Sequence, residues 1–320
     1  MSLNWSISRE KTLNDCERRY YFEYLAGARA NSRDPRLREI ARLKRLKTIA
    51  LWQGDVFHAV AAEAARMIRA KGMPPAVDLV ALADQRLRRE WAQSTPVLES
   101  PEALVDAPDD DGLVLFEHYY GMPMDPCTLK VVCGRVASWV GRFVDWALRD
   151  RFAEKVQSAE RVWIEPQGFG AGATGFGLDG VQITTRVDLA LRHREVGFEI
   201  YDWKTGNGPS GLEYRTDDEE YQVTVYQIWA ETALGVPLEE VHARVVYVAS
   251  DPVIARPLPI DGEVRERARR RLSAAIGRAR ALHGVGDYAP LEEADFELAL
   301  SPGACRWCRY KRLCKRMVDL

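Results

Sequence analysis

The feature that most constrains the fold is a change of sequence pattern at about residue 155. Before this point, apolar residues recur with the spacing of amphipathic helices. After it, short segments alternate apolar and polar residues and are separated by turn residues, which predicts a strand meander at 160–165, 181–191 and 197–202. The segment 243–249, which is mostly apolar, predicts a buried strand. Strands flanked by helices predict an α/β or α+β fold.

The predicted helices lie on both sides of the strand region. They cover 8–26, 36–69 with a break near Gly54, 77–89, 129–153, 219–234 and 261–282. Proline and aspartate cluster between residues 94 and 126, which indicates a loop or the edge of an insertion.

Composition and the N-terminus exclude several classes of protein. With 320 residues, 47% hydrophobic and 29% charged, the chain has the composition of a globular protein with one large domain or two. It contains no apolar run of membrane-spanning length, and its first residues lack the layout of a secretory signal. We therefore expect a soluble, cytoplasmic protein with no membrane partner.

Charge is segregated along the chain although the net charge is only −2. Residues 33–47 carry seven basic and two acidic side chains, and residues 305–316 carry six basic and none acidic. Residues 264–280 are also rich in arginine, whereas acidic residues gather at 99–111 and 217–220. This pattern fits a groove for a polyanion, and the alternative is a set of solvated helix faces.

The densest chemistry lies in the strand meander. Asp202 and Lys204 are two residues apart in a strand, so they project to the same face of the sheet. If the preceding strand pairs antiparallel, Asp188 comes close to Asp202, and two hard oxygen ligands suit Mg²⁺ or Mn²⁺. Lys204 would then act on the attacking water and offset charge in the transition state. The alternative is an exposed salt bridge on a hairpin.

Two helices add polar side chains that the same chemistry uses. His58 lies in the first turn of an alanine-rich segment that begins at Gly54. Gln222 and Tyr226 are four residues apart and therefore share one helical face, from which they can hydrogen-bond a lysine, a water or a phosphate. Taken alone, His58 is more typical of a core or surface histidine, and the Gln222 and Tyr226 pair of an ordinary helix surface.

The six cysteines are unevenly distributed. Cys305, Cys308 and Cys314 fall within ten residues near the C-terminus. In a reducing compartment such clusters are more often metal ligands than disulfides, but three thiolates rarely close a structural metal site. Cys127 and Cys133 are interpreted as buried thiols near the start of a helix.

The order of these motifs resembles the RecB-like branch of the PD-(D/E)XK nuclease superfamily. The matching elements are a GxxxH motif, an aspartate that closes a strand, a DxKTG motif and a QxxxY motif, here Gly54 and His58, Asp188, Asp202 and Lys204, and Gln222 and Tyr226. Some members of this branch hold a 4Fe-4S cluster with one cysteine before the nuclease core and three after it. The resemblance thus implies Cys16, Cys305, Cys308 and Cys314 as cluster ligands, with a structural Zn²⁺ as the alternative.

The resemblance also implies a fold and a set of roles. The fold is an α/β restriction-endonuclease-like core with a central mixed sheet flanked by helices, an N-terminal helical region and a cluster that joins the chain ends. Residues 1–320 form a single nuclease domain with a helical insertion at 75–155 and a cluster region made of residue 16 and residues 301–320. The implied catalytic residues are Asp188, Asp202, Lys204, Gln222 and Tyr226, and the implied ligands of Mg²⁺ or Mn²⁺ are His58, Asp188, Asp202 and the backbone carbonyl of Trp203.

The function implied by the resemblance is a metal-dependent DNA nuclease. We expect an exonuclease on single-stranded DNA or DNA ends, acting in repair, recombination or CRISPR-related DNA processing. Similar proteins include CRISPR-associated adaptation exonucleases and the nuclease module of AddB-type helicase-nucleases, so a helicase or CRISPR adaptation proteins are candidate partners. The alternative is a non-catalytic iron-sulfur DNA-binding subunit of a larger complex.

Overall fold

The computed structural model describes residues 3–27, 33–99, 112–165, 174–194, 197–206, 217–259, 261–283, 292–301 and 303–314. Its helices are α1 (Ile7–Asp15), α2 (Glu17–Tyr20), α3 (Pro35–Leu43), α4 (Ile49–Lys71), α5 (Ala76–Glu99), α6 (Phe116–Tyr119), α7 (Thr128–Arg149), α8 (Phe152–Ser158), α9 (Asp217–Leu234), α10 (Gly262–Leu282) and α11 (Gly303–Arg306). Its strands are β1 (Asn4–Trp5), β2 (Leu46–Lys47), β3 (Val114–Leu115), β4 (Arg161–Ile164), β5 (Thr174–Leu178), β6 (Val181–Thr185), β7 (Leu189–Arg192), β8 (Phe198–Lys204), β9 (Val241–Tyr247) and β10 (Ile254–Pro257).

A five-stranded mixed sheet lies at the centre, with strand order β10-β9-β8-β7-β4. Strands β8 and β9 are parallel, and the other neighbours are antiparallel. Strand β8 is buried along its length except at Lys204, as expected for a central strand covered on both faces. The expected mixed sheet flanked by helices is therefore present.

Two apolar layers cover the two faces of this sheet. On one face, Ile200 and Val245 belong to the same core cluster as residues of α9 and α10, including Ile228 and Leu272. On the other face, side chains of β8 pack against α4, α7 and α8, and the Trp203 and Phe143 ring centroids are 5.4 Å apart. Because strand side chains alternate, Asp202 and Lys204 share the α9 face with Ile200.

A third apolar cluster joins the two ends of the chain. Phe22 follows α2, and its ring centroid lies 5.2 Å from that of Tyr310 in the C-terminal tail. Both rings are buried. Strands β2 and β3 form a small parallel sheet next to this cluster, and β1-β6-β5 form a third sheet.

The two N-terminal helix predictions need correction. Helix α4 passes through Gly54 without a break, and it begins at Ile49 because the Thr48 hydroxyl accepts a hydrogen bond from the Leu51 N–H. The break in the predicted 36–69 helix lies earlier, where the chain enters β2. The predicted 8–26 helix is also interrupted, since Cys16 has an extended backbone (φ −170°) and its sulfur caps α2.

The predicted 181–191 strand is two strands in different sheets. Residues 186–188 carry the chain from β6 to β7, and periodicity alone does not show such a crossing. Strands β1, β2, β3, β5 and β10 were not predicted, and the 129–153 helix is divided into α7 and α8 at Arg151, which has a left-handed backbone. Helix α5 extends to Glu99, well into the segment predicted as a loop, of which residues 100–111 lie outside the described part of the chain.

None of the described helices is both long and apolar enough to cross a bilayer.

Candidate active site

Three carboxylates line up at the ends of three neighbouring strands. Ile164 pairs with Leu189, and Leu189 pairs with Tyr201. One residue further along each strand, the antiparallel register brings Glu165, Asp188 and Asp202 side by side. The Glu165 N–H donates to the Asp188 carbonyl at 2.9 Å, which extends the ladder to this row. The register of the sheet therefore assembles an acidic site at one edge.

Asp188 connects the sheet to α4. One carboxylate oxygen lies 3.1 Å from His58 Nδ1, and the other accepts a hydrogen bond from the Trp203 N–H at 2.7 Å. Asp188 precedes β7 and does not close a strand, which corrects the position expected from the motif. The antiparallel pairing expected to bring it near Asp202 is present.

The buried Asp202 and the partly buried Lys204 form an ion pair on the α9 face. Lys204 Nζ is 2.7 Å from Asp202 Oδ2, and Asp202 is only 2% exposed. The Lys204 ammonium is in contact with that oxygen, and the sheet register places Asp188 beside Asp202. Two neighbouring carboxylates repel each other, which favours a cation between them.

Gln222 holds the pair from α9. Its amide nitrogen donates to Asp202 Oδ1 at 3.1 Å and to the Tyr226 hydroxyl at 2.6 Å, while its amide oxygen accepts from Lys204 at 3.0 Å. The Tyr226 hydroxyl in turn donates to the Arg186 carbonyl at 2.8 Å. The predicted sharing of a helical face by Gln222 and Tyr226 is confirmed, and the face points at the sheet.

Gly54 explains how α4 comes close enough to place His58. A Cβ atom at Gly54 would lie 3.1 Å from the Thr205 hydroxyl oxygen, and Thr205 directly follows Lys204. A side chain at this position would push the helix from the strand end. The glycine thus sets the spacing between α4 and β8, and His58 follows one turn later.

The electrostatics of the site are dominated by burial and by the carboxylates. Burial disfavours the charged imidazole, but Asp188, with smaller contributions from Asp202 and Glu165, outweighs it and raises the pKa of His58 to about 9. Burial raises the pKa of Asp202, although the Lys204 ammonium opposes this shift. Burial also disfavours the charged form of Lys204, but Asp202 outweighs it and raises the pKa of Lys204. Lys204 is therefore held as an ammonium.

The carboxylate oxygens and the imidazole nitrogen of this site are atom types that bind hard divalent cations. Two carboxylates and an imidazole are ligands that Mn²⁺ accepts, and oxygen ligands alone suit Mg²⁺. His58 and Asp188 contact each other directly, and no three histidine, cysteine, aspartate or glutamate side chains of the described residues surround a common point suited to a metal ion. The burial of Asp202 beside Asp188, whose negative charge helps to raise the pKa of Asp202, is the observation that favours a cation here.

Glu165 is a site residue that sequence reasoning missed. Burial and the neighbouring Asp188 raise the pKa of its carboxyl. The available signal was its position at the end of the first predicted strand of the meander, since pairing that strand with the next would have placed it beside Asp188. The Arg186 carbonyl was also missed, because a backbone acceptor leaves no trace in the sequence.

The chain was compared with known protein families. The sequence model of the PD-(D/E)XK nuclease superfamily matches residues 4–315. The chain belongs to this superfamily. PD-(D/E)XK proteins are typically nucleases that depend on divalent metal ions and act on DNA. The superfamily expected from the motifs is therefore confirmed. We call Glu165, Asp188 and Asp202 the acidic row.

Other comparisons of this PD-(D/E)XK chain add little. A crystal structure of SSO0001 is 14% identical to it, with a TM-score of 0.30, over 63% of this chain and 80% of that chain. No curated protein matches the chain significantly.

The two chain ends of this PD-(D/E)XK protein meet at a second site, the cysteine cavity. It has a volume of about 330 Å³ and is lined by Cys16, Cys305, Cys308 and Cys314. Burial raises the pKa of the Cys308 thiol to about 11, and Cys16 and Cys305 add to the shift, which places these thiols near one another. Arg18, Arg19 and Lys311 line the same cavity and favour thiolates.

The remaining two cysteines lie away from this cavity. Cys127 is exposed just before α7, so its interpretation as a buried thiol was wrong. Cys133 is partly buried beside Asp84, and burial raises the pKa of its thiol to about 11.

The arginine-rich helix α10 is engaged within the molecule. Its arginines form ion pairs with carboxylates of α9 and of the N-terminal helices: Arg265 and Arg269 with Glu231, Arg267 with Glu220, Arg271 with Glu10, and Arg278 with Glu17. These contacts stabilise the packing of α10 and leave it less available to a polyanion than the sequence suggested.

Proposed function

We propose that this protein is a divalent-metal-dependent deoxyribonuclease of the RecB-like branch. The observation that carries the proposal is the buried Asp202 and Lys204 pair, beside Asp188 and held by Gln222 and Tyr226. An exposed hairpin salt bridge, the alternative interpretation, would not be 2% exposed at Asp202 and would not have a helix bonded to both partners. We infer single-stranded DNA or DNA ends as the substrate.

The proposed ligands of Mg²⁺ or Mn²⁺ are Asp188, Asp202, His58 and the Trp203 carbonyl. The N–H and C=O of one strand residue point to the same edge, and the Trp203 N–H faces Asp188, so its carbonyl belongs to that side. The ion, when bound, would lower the pKa of a coordinated water and offset the charge of the scissile phosphate.

The other side chains of the site would position one another and offset the negative charge of the phosphate. Lys204, held as an ammonium by Asp202, would offset negative charge that develops on the phosphate oxygens. Gln222 would fix the orientation of Lys204, and Tyr226 would fix Gln222 through its bond to the Arg186 carbonyl. In this assignment Asp188, Asp202, Lys204, Gln222 and Tyr226 are the catalytic set, and Gln222 and Tyr226 act chiefly by positioning.

For the cysteine cavity we propose a 4Fe-4S cluster held by its four cysteines. A single Zn²⁺ would draw four sulfurs to about 2.3 Å from one point. The four cysteines line one cavity, and the resemblance to cluster-bearing members of the RecB-like branch favours the cluster over the alternative of a structural Zn²⁺. The Cys308 thiol, whose pKa is raised, would release its proton on binding the cluster.

The proposed organisation follows from this assignment. Residues 1–320 form one nuclease domain, residues 75–155 are a helical insertion, and Cys16 with residues 301–320 forms the cluster region. The proposed context is repair, recombination or CRISPR-related DNA processing, with a helicase or CRISPR adaptation proteins as partners.

The proposal is tested by incubating the protein with end-labelled single-stranded and blunt double-stranded DNA in Mn²⁺ or Mg²⁺. We expect cleavage of the single strand or of the ends, and its loss when a chelator removes the divalent ion. A circular single strand separates exonuclease from endonuclease action, because it has no ends. DNA binding without cleavage in either metal would instead support a non-catalytic DNA-binding subunit.

A further inference from the structure

A polar cleft of about 530 Å³ lies beside the candidate active site, between α4, α5 and the β2-β3 sheet. We name it the basic cleft. Its lining residues are Arg45, Lys47, Trp52, Asp55, Arg86, Arg89, Glu90, Gln93, Gly112 and Leu113. Its volume falls in the range of about 300–1,000 Å³ that is typical of sites for small molecules, so it has room for nucleotide units of one strand.

The basic cleft adjoins the acidic row. Asp55, one of its lining residues, lies three residues before His58 in α4, so the two side chains are neighbours on the helix surface. The Asp55 carboxylate also contributes to the raised pKa of Glu165, which places it within electrostatic reach of the row. A strand lying in the cleft would therefore lead directly to the carboxylates.

The described residues that line the basic cleft carry a net positive charge. They include four cationic side chains and two carboxylates, and both carboxylates are already paired, Asp55 with Lys47 at 2.5 Å and Glu90 with Arg86 at 2.7 Å. Arg89 is exposed, and among the described residues it has no carboxylate partner. The positive excess is not neutralised by the carboxylates that line the cleft, which favours an anionic ligand.

The lining selects phosphates and not bases. Trp52 is only 1% exposed, and its indole N–H donates to Glu90, so it offers no face on which a base could stack. Guanidinium and ammonium groups bind phosphate oxygens without regard to sequence. A site with cations and no accessible aromatic ring is therefore suited to the sugar-phosphate backbone.

We propose that the basic cleft binds backbone phosphates of the single DNA strand next to the scissile bond, and that Arg89 is a phosphate-binding residue. The inference rests on the proposed nuclease function and adds the path of the strand. Arg86, Arg89 and Gln93 come from α5, within the segment taken as a helical insertion, so the insertion supplies part of the substrate site.

The test compares two adjacent arginines of α5. Arg89 lines the cleft, whereas Arg88 pairs with Asp84 at 2.6 Å and lies outside the lining. Affinity for a fluorescent single strand is measured by anisotropy at several salt concentrations, in a Lys204→Ala background that prevents cleavage. We expect Arg89→Gln to raise the Kd by about 3- to 10-fold and to reduce the slope of log K against log salt by about 0.7, the value for one lost single-strand contact. Arg89→Lys should stay near the reference, and Arg88→Gln should leave the Kd and slope unchanged.

Cleavage assays with Lys204 intact separate this inference from the proposed function. Arg89→Gln should raise the KM for DNA and leave kcat nearly unchanged, since it removes binding that is uniform along the reaction. Equal losses of affinity in Arg89→Gln and Arg88→Gln, or no loss in either, would contradict DNA binding by the basic cleft even if the wild type cleaves DNA. If the wild type fails to cleave while Arg89→Gln alone weakens binding, DNA binding by the basic cleft is supported and the nuclease function is contradicted.

Discussion

At the scale of single residues, the candidate site is a network in which Gln222 and Asp188 each have more than one hydrogen-bond partner. Gln222 bonds to Asp202, Lys204 and Tyr226, and Asp188 bonds to His58 and to the Trp203 N–H. Such a connected network fixes side-chain positions better than isolated pairs do. The other carboxylate oxygen of Asp202, Oδ2, lies against the Lys204 ammonium, and the proposal assigns this carboxylate to the metal as well.

The first prediction concerns His58. If its imidazole is a metal ligand, His58→Ala leaves only oxygen ligands, and the ratio of cleavage rates in Mn²⁺ and Mg²⁺ should shift toward Mg²⁺ by several-fold. The measurement is the initial cleavage rate in each metal. His242→Ala is the control, because His242 is exposed on β9. A purely structural His58 would lower the thermal midpoint and leave the metal preference unchanged.

A second residue-scale prediction concerns His283, whose Nε2 lies 2.7 Å from the Tyr20 hydroxyl. Burial, assisted by Arg9, lowers the pKa of His283 to about 4. The unfolded chain, with a pKa of about 6.5, binds the proton first on acidification, so stability is lost as the pH falls from about 6.5 toward 4. Because His283 is partly exposed, we reduce the expected effect: its protonation should lower the free energy of unfolding by about 1 kcal/mol between pH 7 and pH 5.

Denaturant unfolding at pH 7 and pH 5 tests this prediction. His283→Gln removes the titrating group, so the difference in unfolding free energy between the two pH values should shrink by that amount. An unchanged difference in the variant would show that His283 does not titrate as described.

At the scale of secondary-structure elements, α4 links the two functional regions. It carries Gly54 against Thr205, His58 against Asp188, and Asp55 into the basic cleft. A small displacement of α4 from the end of β8 would therefore change the geometry of the acidic row. We regard the spacing of this helix as the main determinant of the position of His58.

The third prediction tests this spacing. In Gly54→Ala the new Cβ would lie 3.1 Å from the Thr205 hydroxyl, so α4 or Thr205 must shift by a few tenths of an ångström. We expect cleavage to fall by roughly 10-fold, since small misplacements of catalytic groups are costly. Gly141→Ala in α7 is the matched control, because a Cβ atom at this position meets nothing within 4 Å. The higher helix propensity of alanine should stabilise the protein by up to about 1 kcal/mol, and cleavage should be unchanged. Equal cleavage by both variants would contradict the spacing argument.

The sequence predicted the type of most elements but not every boundary. The 3.6-residue pattern of α10 comes from burial on one face, and that periodicity is visible in one dimension. Strand β8 was recognised from its alternating residue types although both of its faces are buried, because Glu199 and Asp202 are buried polar residues. The passage from β6 to β7 through residues 186–188 depends on which strand each segment pairs with, and this is a long-range property. The interruption at Cys16 was hidden for a similar reason, because the aromatic residues around it continue the helical pattern while its sulfur caps α2.

The part of the site that was predicted consists of residues whose spacing in the sequence places them on one face of a strand or helix. Asp202 and Lys204 follow from strand alternation, and Gln222 and Tyr226 from helical spacing, and the structure brings both pairs together. Glu165 and the basic cleft were not predicted, since they depend on the strand register and on the contact of α5 with β2 and β3. The run 33–47 was recognised as basic, but only the fold shows that Arg45 and Lys47 face α5.

At the scale of the whole molecule, the chain ends are packed against each other. The Phe22 and Tyr310 rings are in contact, the Tyr120 hydroxyl donates to the Arg309 carbonyl, and Cys16 and the three tail cysteines line one cavity. A group bound by all four cysteines would close a loop of nearly the full chain length, and this constrains the unfolded state strongly.

The fourth prediction concerns that closure. Cys16→Ser should reduce the iron content of anaerobically purified protein and lower the thermal midpoint, because one of the four proposed ligands is lost. Protease sensitivity should increase in both the N-terminal helices and the C-terminal tail. Cys127→Ser, which alters an exposed thiol outside the cavity, should do neither. Dependence of the iron content on Cys127 or Cys133 would show that the ligand set is wrong, and one zinc per colourless chain would replace the cluster.

The most direct test of the central claim is the rate at which Asp202→Asn hydrolyses labelled single-stranded DNA in Mn²⁺. The substitution keeps the shape of the side chain and removes its charge, so we expect a fall of at least about 100-fold with little change in the thermal midpoint. Asp218→Asn is the control, since Asp218 is an exposed carboxylate on α9 with 64% of its side chain accessible. Its rate should match the wild type. Hydrolysis by Asp202→Asn at the wild-type rate would contradict the assignment of the acidic row as the active site.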